Sequence, residues 1–522
     1  MKKVLFIYLF IFNTVGYSQD KGKIIDDFAT KGKELWQIPG MSVVVVENDS
    51  TIFKSTYGVK NYFTREEVDT NTIFSMASTT KAFIGMGLGI LVDRDSISWN
   101  DKVVDYLPDF KLSDPYITND ARIKDLLTHN LGIGNEDRLW TTDSTSIDEL
   151  LFNFSKSKRK YPIRGGYTYQ NIMYVVAGRV IEKVSGQTWQ DFIKYNILEP
   201  IGLECTLTWS RDIFEYGNHT YPHMIDYEEG IVNVPFTISD QIGAAGMMWS
   251  CVDDMEKYLS FLLNNSEVDG KRILSEKTFN YIFEPQIIIG SSFYPTSKLT
   301  KPNWRTYGLG WFQHDYRGLK IDMHTGSLQG LVAIIAMVRD KNIGLQVFAN
   351  MDGAELRHAL VYKIFDLLLF DDNSRDWNSE VFELYNERSE RYKKSYYESF
   401  ENRDKSKKLS YELEDFVGKY SNDMYGDIII TLLKREGKKS RKKYYLNLDV
   451  NNNIKNFDLE WWEGNTFLTD KDEKWLEKLF VDFKEEDGSI KSLKIYNAVS
   501  YTHLRAHETP EHRVCRRLGE KK

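Results

Sequence analysis

A mostly apolar run at 41–47, the polar triplet Asn48-Asp49-Ser50 and a second run at 51–57 predict a hairpin of buried strands around a polar turn. Ahead of it, Ile24, Ile25, Phe28, Leu35 and Trp36 predict a helix over 20–37. Residues 72–93 predict an apolar helix through Ala82, Phe83, Ile84, Met86, Leu88 and Leu91. Gly85, Gly87 and Gly89 cost that helix propensity, so their expected use is close backbone packing. The middle, 100–300, reads as short helices and loops, clearest as helices at 171–184 and 189–197. Strand character returns at 307–314, 319–324, 331–338 and 343–348, and an amphipathic helix closes the region at 354–370. Two strands first, several last and helices between predict an α/β (α+β) domain. Its antiparallel sheet is built from both ends of the domain and flanked by helices, with a helical subdomain.

Further on, 371–410 is dense in charge and tyrosine and reads as a charged, partly helical linker. Short mixed runs at 427–433, 444–448, 457–462, 479–483 and 490–495 predict a separate small all-β domain over 411–498. At the other end, Lys2 and Lys3 precede a short apolar stretch, and Gly16 and Ser18 stand at −3 and −1 of a cleavage after Ser18. A signal peptide at 1–18 is expected, leaving the first domain as 19–370. The apolar stretch falls short of the ~20 residues a spanning helix needs, so export as a soluble periplasmic or secreted protein is expected, without stable membrane insertion. Residues 499–522 break with the preceding chain and resemble the translation of a transposon-type sequencing adapter, which sets them apart as an artefact.

The formal charge of −8 argues against a nucleic-acid partner. Cys205, Cys251 and Cys515 include no Cys-x-x-Cys pair, so neither a zinc knuckle nor a redox motif is read. A Cys205–Cys251 disulfide is compatible with an oxidising compartment, but spacing does not show it. Two buried free thiols are the simpler reading.

Candidate chemistry begins at Ser78-Thr79-Thr80-Lys81. Ser-x-x-Lys also occurs at Ser18, Ser155, Ser157 and Ser440, at the signal junction or in hydrophilic stretches. Only Ser78 opens a buried helix, with Lys81 one turn on and facing the same way. A serine hydroxyl needs a neighbour to take its proton, and a buried lysine can act directly or hold a tyrosinate by charge. Read alone, the pair is equally a helix cap and a snorkelling lysine. Tyr169-Gln170-Asn171 precedes a helix; extended, it projects Tyr169 and Asn171 to one side. Asn171 is placed to orient Lys81 and bind a substrate carbonyl. His324-Thr325-Gly326-Ser327 lies between two predicted strands. Gly326 would let a substrate backbone lie against the strand, and the Ser78 and Ser327 N–H groups would form an oxyanion hole.

With these three pieces in order, the chain resembles the serine β-lactamase-related family over about 30–370. The branch it resembles contains class C β-lactamases, serine DD-peptidases, D-aminopeptidases and related esterases. Leu126-Leu127-Thr128-His129-Asn130-Leu131-Gly132 and Gly243-Ala244-Ala245-Gly246-Met247-Met248 look like further family segments. The resemblance implies a β-lactamase/transpeptidase-like fold, with Ser78 as acylated nucleophile and Lys81 and Tyr169 handling its proton. Asn171 binds substrate, and His324, Gly326 and Ser327 form the third motif. Residues 411–498 look like the small β-domain often appended to such hydrolases. No metal or organic cofactor is implied; the partner is a small ester, amide or peptide substrate, such as a D-amino-acid peptide. Penicillin-binding members usually carry lysine where this chain has His324, so strong β-lactamase activity is not expected. A histidine titrating near pH ~6.5 would make carboxylate-bearing substrates bind more weakly as pH rises. A catalytically silent penicillin-binding-like sensor and a cell-envelope binding protein remain the alternatives.

Overall fold

The computed structural model describes residues 21–141, 146–226, 228–290, 294–434, 444–450, 455–470, 478–497 and 517–521. The expected signal peptide lies outside them. The chain divides into two compact units: one of 1–110, 116–132 and 161–386, the other of 111–115, 133–160 and 387–522.

The first unit is built on an eight-stranded antiparallel sheet. Gly40–Glu47 is an inner strand, flanked by Ser50–Gly58 at the edge and by Ile343–Ala349, which follows it by roughly three hundred residues in sequence. Leu331–Val338, Leu319–Leu328, Phe312–Tyr316, Arg305–Tyr307 and Ile287–Ile288 continue the order. Gly40–Glu47 is buried on both faces, which is why its sequence runs apolar without alternation. Ser50–Gly58 is largely half-exposed, as its position at the edge requires, rather than buried as expected.

One face of the sheet packs Met41, Val43, Val45 and Val347 against Ile25 and Ala29 of a helix at 21–35 and Leu360 and Ile364 of the Leu356–Leu369 helix. The opposite face meets the Val252–Leu263 helix, and beside it Phe74 stacks on Phe348 with ring centroids 5.6 Å apart. The Thr80–Asp93 helix is buried from Thr80 to Leu91 and packs on the Asn171–Ser185 helix. A Cβ on Gly85 would lie 2.7 Å from the Leu309 carbonyl oxygen, the close packing expected of that glycine.

Three further elements differ from the sequence expectation. The strand expected at 307–314 is two, Arg305–Tyr307 and Phe312–Tyr316, broken where Gly310 takes φ +95° against the Lys81 carbonyl. His324-Thr325-Gly326-Ser327 lies inside the Leu319–Leu328 strand, not between strands. Part of the expected linker forms a 25-residue helix, Trp377–Glu401, with Trp377, Val381 and Tyr385 at fourfold spacing packed into the first unit's core.

The second unit contains a closed eight-stranded barrel. Phe416, Tyr420, Phe467 and Phe483 fill its interior with aliphatic side chains from the surrounding strands. Its strands Gly418–Asn422 and Thr466–Thr469 were not read from sequence, and Arg517–Lys521, within 499–522, pairs with the first and seventh strands. Among the described residues, no helix is long and apolar enough to cross a membrane.

Candidate active site

The chain enters the site through the two-residue strand Phe74–Ser75, which pairs with Trp249–Ser250. Met76 donates its N–H to the Met248 carbonyl at 2.9 Å. Ala77 then takes φ +45°, a left-handed backbone that costs a non-glycine residue roughly 1–2 kcal/mol. Ser78 follows in the Ala77–Thr79 turn, and the helix begins at Thr80. The fold holds this strained backbone immediately before Ser78, a placement seen where local strain serves function.

Lys81 is wholly buried. Its Nζ donates to Ser78 Oγ at 3.1 Å, Asn171 Oδ1 at 2.7 Å and the Ala245 carbonyl at 2.6 Å. Three acceptors therefore aim the amine at the serine. Its Nζ also lies 4.9 Å from the Tyr169 ring centroid and 5.1 Å from that of Tyr174, and both rings favour the charged form. Ser78, Lys81 and Asn171 are thus joined directly, with Tyr169 beside them. The Ala245 carbonyl has no side-chain signature, although its glycine-flanked segment was legible.

Tyr169 is clamped between rings. Its ring stacks on Phe312 at 6.2 Å with 5° between planes, and its centroid lies 4.2 Å from that of His129. His129 takes φ +59° at the end of the Ile123–Thr128 helix. Its Nδ1 accepts the Gln170 N–H at 3.0 Å and its carbonyl accepts the Thr168 N–H at 2.8 Å. This histidine therefore fixes the backbone on both sides of Tyr169. Farther back, the Arg164 guanidinium donates to buried Asp125 at 3.1 Å and to Asp120 at 2.6 Å, tying down the approach to Tyr169.

His324 departs from the sequence expectation. It is fully buried; its Nδ1 lies 2.7 Å from the Thr325 carbonyl and its Nε2 2.9 Å from the Tyr307 hydroxyl. A carbonyl only accepts, so Nδ1 carries the proton and Nε2 accepts from Tyr307. Burial, and then the Lys81 charge, push its pKa down to about 3. The ring is neutral throughout the ordinary pH range, so the expected titration near pH ~6.5 does not occur here. Residue type supplied the default pKa, and a buried environment replaced it.

Gly326 brings the strand against the serine's turn. A Cβ there would lie 2.2 Å from the Met76 carbonyl oxygen and 2.9 Å from Ala77 Cβ. Buried Arg357, ion-paired with Glu355 at 2.9 Å, donates to the carbonyls of Gly326 and Ala333 and fixes the strand from behind. Ser327 is the next residue, paired with Val332. Thr325 Oγ1 lies 2.9 Å from the Tyr294 hydroxyl. Sequence reasoning missed Tyr294 and Arg357 as site supports, because neither lies in a motif.

The family described as Beta-lactamase matches residues 28–368, and one described as Domain of unknown function (DUF3471) matches 402–508. Among curated proteins, the chain is 28% identical to the Unguisins hydrolase ungD' of Aspergillus campestris, covering 73% of this chain and 72% of that protein. It is 23% identical to Protein flp of Staphylococcus aureus, covering 64% of each. Among solved structures, it is similar to the octameric penicillin-binding protein homologue from Pyrococcus abyssi. That likeness has a TM-score of 0.59 at 19% identity, covers 91% of this chain and 97% of that one, and supports the fold alone.

Proposed function

The chain belongs to the beta-lactamase family, and from that premise we propose that it is an exported serine hydrolase working through an acyl-enzyme on Ser78. The observation that carries this reading is the Lys81 Nζ–Ser78 Oγ contact of 3.1 Å, with the amine held by Asn171 and Ala245. Ser78 Oγ attacks the carbonyl carbon of a small ester or amide as its proton passes to Tyr169 in the phenolate form that the Lys81 charge favours, or to Lys81 once that amine is neutral. The backbone N–H groups of Ser78 and Ser327 stabilise the developing oxyanion. Collapse breaks the bond to the leaving group, which receives the proton, and leaves the acyl group on Ser78. Water then attacks the acyl carbon, gives its proton to the same base and releases the acid. Asn171 binds the substrate carbonyl side, whereas the room at Gly326 is taken by the Met76–Ala77 turn rather than by substrate.

His324 supports a preference within this chemistry. A neutral, doubly engaged imidazole offers no cation to a substrate carboxylate. Esters and amides that need no carboxylate anchor, including D-amino-acid peptides held through their backbone, fit better than penicillins. Intact-protein mass after exposure to a fluorophosphonate and, separately, a β-lactam tests the reading, with wild type and Ser78→Ala side by side. A fluorophosphonate adduct on wild type alone supports it. No adduct from either reagent would replace it with a silent binding protein.

A further inference from the structure

We propose that Cys205 and Cys251 form a disulfide by exchange with a small-molecule or protein disulfide, clamping the segment that holds Lys81. Leu207 and Trp249 face each other as an antiparallel pair, exchanging N–H···O bonds of 2.8 and 3.1 Å. One step along, Thr206 Oγ1 and Ser250 Oγ meet at 2.9 Å. Carried one step further, that register would set Cys205 opposite Cys251, and both are buried free thiols in the structure. Opposed residues in antiparallel strands have Cα atoms about 4.5–5.5 Å apart, inside the roughly 4.4–6.8 Å span of disulfides. The two sulfurs and an Asp254 carboxylate oxygen all lie within 4.8 Å of one another.

The same three groups could suggest a metal site, but the carboxylate is engaged. Asp254 accepts the N–H groups of Glu204 at 3.0 Å and Cys205 at 2.7 Å, and the Thr206 hydroxyl at 2.7 Å. Asp254 therefore ties down the loop bearing Cys205, and the Cys205 thiol donates to Asn71 Oδ1 at 3.5 Å. The two thiols are also unequal. The hydrogen bond from Cys251 holds the Cys205 thiol below its ordinary range, whereas that bond and burial push Cys251 up. Cys205 is also the slightly exposed member, at 8% against 0%.

Exchange starts when the Cys205 thiolate attacks one sulfur of the donor disulfide, breaking that bond and expelling one donor thiol. Cys251 then loses its proton, and its sulfur displaces the second donor thiol from Cys205. Two protein thiols are oxidised, one donor disulfide is reduced, and the two thiol protons end on the donor thiols. The bond would anchor the chain just beyond Met248, whose carbonyl accepts from Met76, and Ala245, whose carbonyl accepts from Lys81.

The full chain, refolded from the reduced state in a glutathione redox buffer, gives the test. Of its three cysteines, one is expected to react with a maleimide after denaturation, with Cys205 and Cys251 joined in the peptide map. Reduction of the folded protein should lower its unfolding midpoint by ~5 °C, and Cys251→Ser should abolish that drop. Three reactive thiols in the refolded protein, retained glutathione on Cys205, pairing through Cys515, or thiols masked by a bound metal ion would each overturn the proposal.

Discussion

Gly326→Ala probes the contact between the third motif and the serine's turn. The added Cβ would stand 2.2 Å from the Met76 carbonyl oxygen, whereas relaxed carbon–oxygen contacts lie near ~3.3–3.6 Å. The two segments must therefore part by about 1 Å. Neither yields easily: Arg357 and Ala333 hold the strand, and Met248 holds Met76. The extra methyl should cost about 1–3 kcal/mol of stability as overpacking. A displacement of that size between reacting groups costs about 100-fold in rate, or about 2.7 kcal/mol of barrier. Turnover of an activated aryl ester and the rate of fluorophosphonate labelling should both fall by that factor. Gly290→Ala, whose added Cβ meets nothing within 4 Å, serves as control and should change neither. If Gly326→Ala stays within about threefold of wild type in both assays, the contact does not set the geometry of the serine.

Three further outcomes follow from burial and charge. The KM of a carboxylate-bearing ester should stay flat from about pH 5 to about pH 8, because His324 stays neutral there; an inflection near ~6.5 would refute that state. Burial lowers the pKa of His129, His314, His324 and His358, so the unfolded chain binds more protons below ~6.5. Stability should therefore be full above that pH and fall on acidification toward the folded values. Each histidine contributes up to ~1.4 kcal/mol per pH unit, and an unchanged slope in His314→Gln would remove that residue from the account. Arg164→Ala leaves buried Asp125 without its cation, and should lower stability by about 2 kcal/mol after discounting for the partly exposed guanidinium. Denaturant titration checks it, and a loss under about 0.5 kcal/mol would count against the tether.

The sheet was legible because buried strands such as Gly40–Glu47 are apolar along their whole length, and the site because its three motifs fall in chain order. What escaped follows from where information resides. The Ala245 carbonyl belongs to the backbone, and residue identity does not report its direction. The break at Gly308-Leu309-Gly310 arises from close approach to the Thr80–Asp93 helix, a contact the local strand pattern does not encode. The Trp377–Glu401 helix shows few apolar positions among its charges, so its buried stripe of Trp377, Val381 and Tyr385 reads as a linker. Gly418–Asn422 and Thr466–Thr469 are too short to give a clear alternation. His324 was found as a residue but misjudged as an acid–base group, since its state depends on Tyr307 and Thr325.

The pairing of Met41 with Ala349 has a consequence for how the molecule is made. During synthesis, the first hairpin leaves the ribosome long before its inner neighbour exists. The Gly40–Glu47 strand must then wait with the N–H and C=O groups of one edge unpaired and its apolar faces uncovered, the condition under which nascent chains recruit chaperones or aggregate. Ser78 is made early, but the strand that faces it comes only with Leu319–Leu328. The growing polypeptide thus carries Ser78 through most of translation without the strand that packs against its turn, and the site is complete only near the end of synthesis.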